Sequence, residues 1–308
     1  MSASPPAGLG DVAIAGATPW RVGKVRTVYD LGDRLVVVAS DRLSAYDAIL
    51  PTPIPDKGRV LTALSAFWFA RLTAAQPHHL LATELAAMPE PFGSDPRLAG
   101  RVMLCRRADR VDVECVVRGY LTGAGWREYR DHGTLHGRPL RAGLSDGARL
   151  DPVAFTPTTK AEQGHDKPIP HGALGALVGE ELAAELEARS RALYEEAHAV
   201  AHAAGLVLAD TKFEFGHVGG RLTLIDELLS PDSSRYWDLP AYQAGKLVSF
   251  DKQFVRDWLD RSGWDHAPPA PALPAEVVAA TRTRYLEAAR RFLGAAWTPP
   301  SDGGEGTP

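Results

Sequence analysis

Residues 206–230, LVLADTKFEFGHVGGRLTLIDELLS, contain two apolar runs on either side of a Gly-Gly pair. The runs 206–216 and 221–230 predict strands, because they are short and rich in residues that favour a pleated surface. Gly219-Gly220 predicts a tight turn between them, since glycine readily adopts positive φ angles. The stretch therefore predicts an antiparallel hairpin.

The charged residues of this hairpin indicate a phosphate and metal site. Alternation along the first strand puts Lys212 and Glu214 on one face and Phe213 on the other. If the strands pair around the glycine turn, Glu214 and Asp226 converge, and magnesium favours carboxylates together with nucleotide phosphates. A lysine beside them would offset charge during phosphoryl transfer. An exposed cross-strand salt-bridge ladder, which contributes little stability, is the alternative interpretation.

Hairpins and helices occur along the rest of the chain without regular strand–helix–strand alternation. Two more strand pairs are predicted, at 25–40 with a turn at Gly32-Asp33 and at 101–122 with a turn near Ala108-Asp109. Helical periodicity or composition predicts helices at 59–73, 179–205, 249–264 and 275–297. The Gly- and Pro-rich segments 75–100 and 130–172 predict connections or binding loops. This order favours an α+β fold with two lobes.

Composition limits the classes of protein that this chain can belong to. The chain has 308 residues with 45% hydrophobic and 23% charged residues, which is the balance of a packed globular protein. A net charge of −4 argues against a nucleic-acid binder with a basic face. Cys105 and Cys115 match no zinc spacing and predict reduced thiols. There is neither a secretion-signal pattern nor an apolar run long enough for a membrane helix, so a soluble cytoplasmic protein is expected.

Other charged segments suggest further anion sites. Gly23-Lys24-Val25-Arg26 places two cations on one face of a predicted strand, where they can face one polyphosphate, although a solvated strand face has the same pattern. It is not a Walker loop. Segment 230–235, SPDSSR, can bind a phosphate or carboxylate, or form a turn that caps a helix.

Two further polar features suit a binding site: Arg118 at a predicted strand end, and the loop segment 160–166. Arg118 ends an apolar strand, where an unpaired charge is costly, so it predicts either an anion site or an ion pair with an acid such as Glu114. Segment 160–166, KAEQGHD, predicts a loop that closes over a substrate or a surface loop, and His165 within it has no evident partner.

The order of these motifs resembles the SAICAR synthase family from about residue 18 to 260. The matching motifs are GKVRTVYD, SDRLSAYD, PDKG, ECVVRGYLTG, KAEQGHDKP, DTKFEFG, DELLSPDSSRYW and SFDKQFVRDW. TKFEFG followed by DELLSPDSSRYW is the specific part, and the length resembles the longer form of the enzyme. The resemblance implies a carbon–nitrogen ligase that joins the carboxylate of CAIR, an aminoimidazole ribonucleotide, to the amine of L-aspartate. ATP would be cleaved to ADP and phosphate by way of an acyl phosphate.

The resemblance also implies an architecture. An antiparallel-sheet N-terminal lobe and a larger α+β C-terminal lobe would enclose an ATP cleft. The boundaries expected along the chain are a flexible arm at 1–18, the nucleotide-binding lobe at 19–112, the substrate and metal lobe at 113–298 and a disordered tail at 299–308. The partners would be CAIR and L-aspartate, without nucleic acid or membrane, and the assembly a monomer or small homo-oligomer.

Site residues carry over by motif. The catalytic set implied is Lys212, Glu214 and Asp226, and the two acids would hold Mg²⁺. ATP would be bound by Gly23, Lys24, Arg26, Cys105, Arg106, Arg107 and Glu227, with the backbone around 105–108 bonding adenine. Substrates would be bound by Ser44, Asp47, Asp56, Lys57, Arg118, Gly123, Lys160, Asp166, Asp232, Ser234 and Arg235.

One departure and two alternatives belong beside this resemblance. The family often has a serine where this chain has Ala124, so main-chain N–H groups of 123–125, or Thr122, would replace its hydroxyl at the substrate phosphate. A small-molecule kinase would share the cations and the acidic pair, but no HRD-type loop is present. A nucleotide-binding regulatory module would bind ATP without turnover.

Overall fold

Two antiparallel sheets with helices packed against them form the frame of the molecule. The computed structural model describes residues 8–10, 12–160, 167–170 and 172–301. The strands are β1 Arg21–Val22, β2 Arg26–Asp30, β3 Arg34–Ala39, β4 Ser44–Ala45, β5 Ala48–Ile49, β6 Leu80–Ala82, β7 Val102–Arg106, β8 Asp109–Leu121, β9 Thr134–Leu135, β10 Arg138–Pro139, β11 Ala148–Phe155, β12 Thr158–Thr159, β13 Leu206–Val218, β14 Arg221–Ile225 and β15 Ser234–Asp238. The α-helices are α1 Lys57–Arg71, α2 Gly123–His132, α3 Leu174–Val178, α4 Glu180–Ala203, α5 Leu239–Gln243, α6 Gln253–Arg261 and α7 Ala275–Leu293.

The two sheets are built from successive parts of the chain, as expected for an α+β fold with two lobes. The first sheet has the order β1-β2-β3-β7-β6. In the second sheet the long strands β8 and β13 pair at the centre; β11 and β12 pair with β8, and β14 and β15 pair with β13. The predicted hairpins β2–β3 and β13–β14 are both present and antiparallel. The α+β class is confirmed, whereas the lobe boundaries stay a prediction.

The predicted strand pair at 101–122 was wrong. Strands β7 and β8 both form, but β7 pairs with β3 and β6 in the first sheet, and β8 pairs with β13 in the second. The short link between Arg106 and Asp109 therefore passes from one sheet to the other. Local sequence favours a hairpin here, but β7 is buried between β3 and β6, and β8 pairs along its length with the equally long β13. Arg107 and Ala108, which join the two sheets, are called the hinge below.

Two segments expected to be irregular contain strands. Strand β11 lies inside 130–172 and pairs with β8 through a register irregularity between Arg149 and Ala154. Strand β15 begins at Ser234, inside the segment interpreted as a turn, and pairs with the first half of β13. Both strands lack a clear period-2 pattern because an irregular register breaks the alternation on which sequence prediction depends.

Helices α1, α4 and α7 cover one face of the second sheet. Leu186 and Leu193 of α4 pack in one core with Trp68 of α1 and Phe213 of β13, and all four side chains are fully buried. Helices α1, α4, α6 and α7 confirm the four helix predictions. Among the described residues, no helix is long and apolar enough to cross a membrane.

A bulge in β13 decides which of its side chains face the site. Leu208 pairs with Tyr236 and Asp210 pairs with Arg235, so Ala209 is an extra residue on β13. Before the bulge the even-numbered Leu206 and Leu208 face the helices, and after it the odd-numbered Phe213 and Phe215 do. Asp210, Lys212 and Glu214 therefore share the opposite face, because one extra residue inverts the alternation.

Candidate functional site

Two cavities adjoin the charged residues of β8 and β13. The first, called the hinge cavity, has a volume of about 540 Å³, and its walls include Gly23, Arg26, Val28, Leu35, Val37, Met103, Arg106, Arg107, Lys160, Glu214 and Asp226. The second, called the polar pocket, has about 460 Å³ and includes Lys24, Ser44, Asp47, Glu114, Arg118, Asp210, Lys212, Asp232, Arg235, Asp251, Lys252 and Arg256. The hinge cavity has an apolar wall and a charged end, whereas the polar pocket is lined almost wholly by charged and polar groups.

A cluster of two acids and two lysines lies between the cavities. The register of β13 and β8 places Glu214 directly opposite Glu114, which is unfavourable for like charges unless a cation separates them. Lys212 Nζ lies 2.7 Å from Oε1 of each glutamate, and Lys160 also forms an ion pair with Glu214. Burial lowers the pKa of Lys212, but Glu214, Asp226 and Glu114 outweigh it and raise the pKa well above its usual value. Lys212 is therefore a permanent cation.

Asp226 and Glu227 follow β14 and bind the guanidinium of Arg26. Arg26 Nη2 donates to Asp226 Oδ2 at 3.0 Å and to Glu227 Oε1 at 3.3 Å, and Nη1 donates to Asp226 Oδ1. Burial raises the pKa of Asp226, but Arg26, Lys212 and Lys160 lower it well below the usual range. Glu227 also accepts a hydrogen bond from the Ser230 hydroxyl at 2.6 Å, which fixes the loop after the hairpin.

Asp226 itself has an unusual backbone conformation. Asp226 has φ of 68°, which is rare for a residue other than glycine and is often associated with functional sites. Its backbone carbonyl lies 3.1 Å from Nε2 of His79, and burial lowers the pKa of that imidazole to about 4. A neutral His79 donating to this carbonyl stabilises the turn that aims Asp226 at Arg26.

The donor set fits magnesium only together with a substrate. No group of three or more His, Cys, Asp or Glu side chains suited to a metal occurs in the described part of the chain. Mg²⁺ usually takes one or two carboxylates plus phosphate oxygens and water, so Glu214 and Asp226 can suffice when a polyphosphate is present. The two acids form ion pairs with Lys160, Lys212 and Arg26. When the metal binds the acids, these three cations would bind phosphate oxygens instead.

Asp210 joins the two arginines that line the polar pocket. Arg118 Nη1 donates to Asp210 Oδ2 at 2.6 Å, and Arg235 Nη1 donates to the same oxygen. Arg118 Nε also donates to Thr156 at 3.1 Å. A side chain on Gly123 would come within 2.6 Å of Arg235 Nη2, so glycine there leaves room for the guanidinium. Within the part of the chain that the structure describes, the other guanidinium N–H groups of both arginines have no hydrogen-bond partner, so they can bind an anion in the pocket.

Asp232 is fixed by two fully buried partners. Lys57 Nζ lies 2.6 Å from Asp232 Oδ2, and the hydroxyl of Tyr285 on α7 donates to Oδ1 at 2.7 Å. Burial raises the pKa of Asp232, but Lys57, Lys252 and these hydrogen bonds lower it to about 2. Lys57 therefore orients Asp232 rather than lining the pocket itself. Asp56 lies away from both cavities, because its carboxylate binds Arg59 and Arg282.

Replacing Tyr285 with Phe should destabilise the fold by about 1.5–3 kcal/mol, because it removes a hydrogen bond to a buried charge. Asp232 has a depressed pKa, so its contribution to stability is present above pH ~4 and is lost as the pH falls towards 2. In Tyr285→Phe this contribution of Asp232 to stability should be lost at a higher pH, because the hydrogen bond that helps to lower the pKa of Asp232 is gone. Urea unfolding at several pH values measures both effects. Tyr242→Phe, which removes a bond to a neutral carbonyl at 3.0 Å, is the control, and an equal loss in both variants would contradict this role for Tyr285.

Other predicted site residues have different surroundings from those expected. Lys24 forms an ion pair with Asp47, and Ser44 lies beside them on the wall of the polar pocket. The hydroxyl of Ser234 is buried and lies 2.8 Å from Thr211 Oγ1, so it is already partnered. Asp166 lies outside the described residues.

The backbone of the hinge offers fewer donors to a base than expected. The N–H of Arg106 donates to His79 O at 2.7 Å, and that of Arg107 donates to Asp33 O at 2.9 Å. Cys105 is buried in β7 between β3 and β6. Any adenine hydrogen bonds at the hinge must therefore involve carbonyl groups or the residues after Arg107.

Sequence reasoning missed several residues of the site. Asp210 stands inside a recognised motif, and it, rather than the expected Glu114, is the acid that pairs with Arg118. Glu114 pairs with Lys212 instead, because the register of β8 and β13 places it opposite Glu214. Asp251, Lys252 and Arg256 were in the motif SFDKQFVRDW, where alternating charge around a predicted helix start was the available signal. Tyr285 gave no signal, since an aromatic residue at helical spacing indicates a core position.

Comparison with known proteins gives one consistent family. The model of the family described as SAICAR synthetase matches residues 20–271. A phosphoribosylaminoimidazole-succinocarboxamide synthase of Rhodopirellula baltica is 47% identical over 302 residues, covering 91% of this chain and 93% of the relative. The protein of the same name from Salinispora arenicola is 49% identical over 278 residues, covering 89% of this chain and 98% of the relative.

Solved structures that resemble this chain are of the same family as these relatives. The SAICAR synthase from Saccharomyces cerevisiae complexed with SAICAR superposes with a TM-score of 0.84 at 34% identity, covering 94% of this chain and 99% of that structure. A SAICAR synthetase in complex with ADP has a TM-score of 0.67 at 21% identity, covering 91% of this chain and 99% of that structure, and shows the fold alone.

Proposed function

Because this chain belongs to the SAICAR synthetase family, we propose that its two cavities carry out the ligation of CAIR with L-aspartate, driven by ATP. The product is SAICAR, in purine biosynthesis. The observation that carries the proposal is the position of the two acids and two lysines between the cavities: Lys160 and Glu214 line the hinge cavity, while Glu114 and Lys212 line the polar pocket. A phosphoryl group passing from one cavity to the other crosses this cluster.

The hinge cavity has the chemistry that a nucleoside triphosphate needs. Val28, Leu35, Val37 and Met103 give it an apolar wall for a base. Arg26, on the same strand as Val28, pairs with Asp226 at the acidic end of the cavity, and Gly23 leaves the adjacent backbone open to close approach. We assign the triphosphate to this end, together with a magnesium ion held by Glu214 and Asp226. The metal would offset negative charge on the phosphates.

The polar pocket has the chemistry for the ribonucleotide. Arg118 and Arg235 share Asp210 and keep further N–H groups for a phosphate or carboxylate. Helix α2 begins at Gly123 in an adjoining cavity of about 770 Å³, which shares Arg235 with the polar pocket, and its first main-chain N–H groups point in the direction that favours an anion. Ala124 has no hydroxyl to offer, so these N–H groups and Arg235 bind the phosphate of CAIR in its place.

The chain's cations then favour two consecutive substitutions. A carboxylate oxygen of CAIR attacks the terminal phosphorus of ATP, the bond to ADP breaks, and an acyl phosphate forms. Lys212 and Lys160 stabilise the negative charge on the migrating phosphoryl group, because they are fixed beside it before the reaction. The neutral amine of L-aspartate next attacks the acyl carbon, the carbon–oxygen bond to phosphate breaks, and the departing phosphate takes up the proton that the nitrogen gives up. Holding both substrates in one pocket lowers the barrier through positioning.

A coupled assay of ADP release tests this proposal. Wild-type protein with Mg²⁺, ATP and CAIR should turn over only when L-aspartate is present, and the SAICAR formed should equal the ADP released. Turnover without aspartate would favour a kinase, and ATP binding without turnover would favour a regulatory module. Glutamate, asparagine and alanine in place of aspartate measure how strictly the nucleophile is selected.

A further inference from the structure

The loop between β1 and β2, residues 23–25, contributes to the walls of both cavities. Gly23 lines the hinge cavity and Lys24 lines the polar pocket. The loop is tight, because the N–H of Gly23 donates to the carbonyl of Arg26 at 2.8 Å. Within the part of the chain that the structure describes, the main-chain N–H groups of Lys24 and Val25 have no hydrogen-bond partner. Consecutive N–H groups of this kind can bind an anion.

Arg42, which follows β3, holds the backbone of this loop. Its Nη2 donates to the carbonyl oxygen of Gly23 at 2.9 Å, and its Nε donates to the hydroxyl of Ser40 at 3.1 Å. That hydroxyl donates in turn to the carbonyl of Val25 at 2.8 Å, and the N–H of Ser40 donates to the same carbonyl at 3.0 Å. Arg42 is 9% exposed and lines neither cavity. The reaction described above leaves this buried cation unused.

The hydrogen bond from Arg42 to the Gly23 carbonyl fixes the direction of the Lys24 N–H. The two groups belong to one peptide unit, which is planar and trans. In a trans peptide the C=O and N–H bonds point in opposite directions. Because Arg42 binds the carbonyl, the N–H of Lys24 points away from Arg42. Without the guanidinium, this peptide unit would be able to rotate.

The side chain of Lys24 is held less firmly than its backbone. Its amine pairs with Asp47, and about half of each side chain is exposed, so solvent screens the pair and it contributes little stability. The loop therefore combines a backbone fixed by buried hydrogen bonds with a cation that can change its partner. A polyphosphate would meet the same main-chain N–H of Lys24 whichever acid or phosphate the amine binds.

We propose that Arg42 is a positioning residue for ATP. It orients the peptide unit between Gly23 and Lys24 so that the Lys24 N–H donates to a phosphate oxygen, while Arg42 itself does not touch the nucleotide. This assignment rests on the ATP-driven ligase function proposed above, and it adds to the nucleotide site a residue that lies behind the loop.

Arg42→Met tests this role, because methionine keeps an apolar stem but cannot bind the Gly23 carbonyl. The KM for ATP should rise about 10- to 100-fold, as expected for the loss of one hydrogen bond to a charged group, while the KM values for CAIR and aspartate stay within twofold. Arg34→Met, which removes an exposed cation from β3, is the control and should leave all three KM values unchanged. An unchanged KM for ATP in Arg42→Met, or an equal rise for all three substrates, would overturn the inference.

Hydrogen exchange at the Lys24 amide is a second test, and it needs no variant. This N–H has no partner among the described residues of the free protein, so it should exchange rapidly. A non-hydrolysable ATP analogue with Mg²⁺ should slow its exchange at least about 10-fold, because the amide then donates to phosphate, and CAIR should not. In Arg42→Met a saturating analogue should no longer slow it.

The exchange measurement separates this inference from the ligase function. If the wild type makes SAICAR but a saturating analogue leaves the exchange of the Lys24 amide unchanged, the role of Arg42 is overturned and the ligase function stands. If the wild type makes no SAICAR, the ligase function fails, and the exchange result still decides whether Arg42 positions the Lys24 N–H for a nucleotide. Should Arg42→Met fail to fold, the wild-type exchange alone decides.

Discussion

Glu214→Gln should reduce kcat by about 100- to 1000-fold or more, with the protein still folded. Glu214 is 4% exposed, binds Lys212 and Lys160, and lies at the junction of the two cavities. The amide preserves the shape of the side chain but removes the charge that holds magnesium. It also leaves two lysines with Glu114 as their remaining acid, so their positions should become less defined. Single-turnover measurement of ADP formation separates this loss from slow product release.

The matched control for Glu214→Gln is Glu195→Gln, which changes the same atoms on the exposed face of α4. Asp226→Asn should resemble Glu214→Gln in activity, because both acids are assigned to one magnesium ion. Increasing the Mg²⁺ concentration should partly restore the rate in either variant but not in Lys212→Met. Wild-type turnover in Glu214→Gln would remove this residue from the metal site.

Asp210→Ala should destabilise the protein by about 3–5 kcal/mol, which is the largest stability change expected here. Asp210 is buried, and Arg118 and Arg235 both donate to its Oδ2. Removing it leaves two partly buried guanidinium groups without an acid, and an uncompensated buried charge is costly. Arg235 is stabilised as a cation chiefly by Asp210, which raises its pKa. The free energy of unfolding in urea measures the loss.

Glu187→Ala is the control for Asp210→Ala, because it breaks a half-exposed ion pair with Arg191 one turn away on α4 and should cost about 0.5 kcal/mol. Excess CAIR should recover part of the stability of Asp210→Ala, since an anionic ligand supplies the missing charge. Stability equal to that of the control would show that the arginines do not depend on Asp210.

The sequence was sufficient for much of the secondary structure. Strands β2, β3, β13 and β14 and helices α1, α4, α6 and α7 follow from short-range patterns, because a turn or a helical period is specified within a few residues. Lys212, Glu214 and Asp226 could be singled out for the same reason: their motif fixes their spacing along one hairpin.

The errors fall where a strand chooses a distant partner. Strands β7 and β8 adjoin in sequence but belong to different sheets, and β11 and β15 form because β8 and β13 offer them edges. Asp56 and Lys57 stand side by side in the chain, but Asp56 is bound by Arg282 of α7 and Lys57 by Asp232. Those partners lie more than a hundred residues away, and no local pattern encodes such contacts.

The sequence by itself determined the residue types of the site: two acids and a lysine around a glycine turn, two cations on the first hairpin, and the charged start of α6. Only the tertiary structure decided which of them meet. The extra residue Ala209 inverts the alternation of β13, so that Asp210, Lys212 and Glu214 turn away from the helices and face Arg118 and Glu114. The physical reason is that buried charges are neutralised by partners on neighbouring strands. Which residues become such partners depends on strand register, and local sequence patterns reveal only neighbours along the chain.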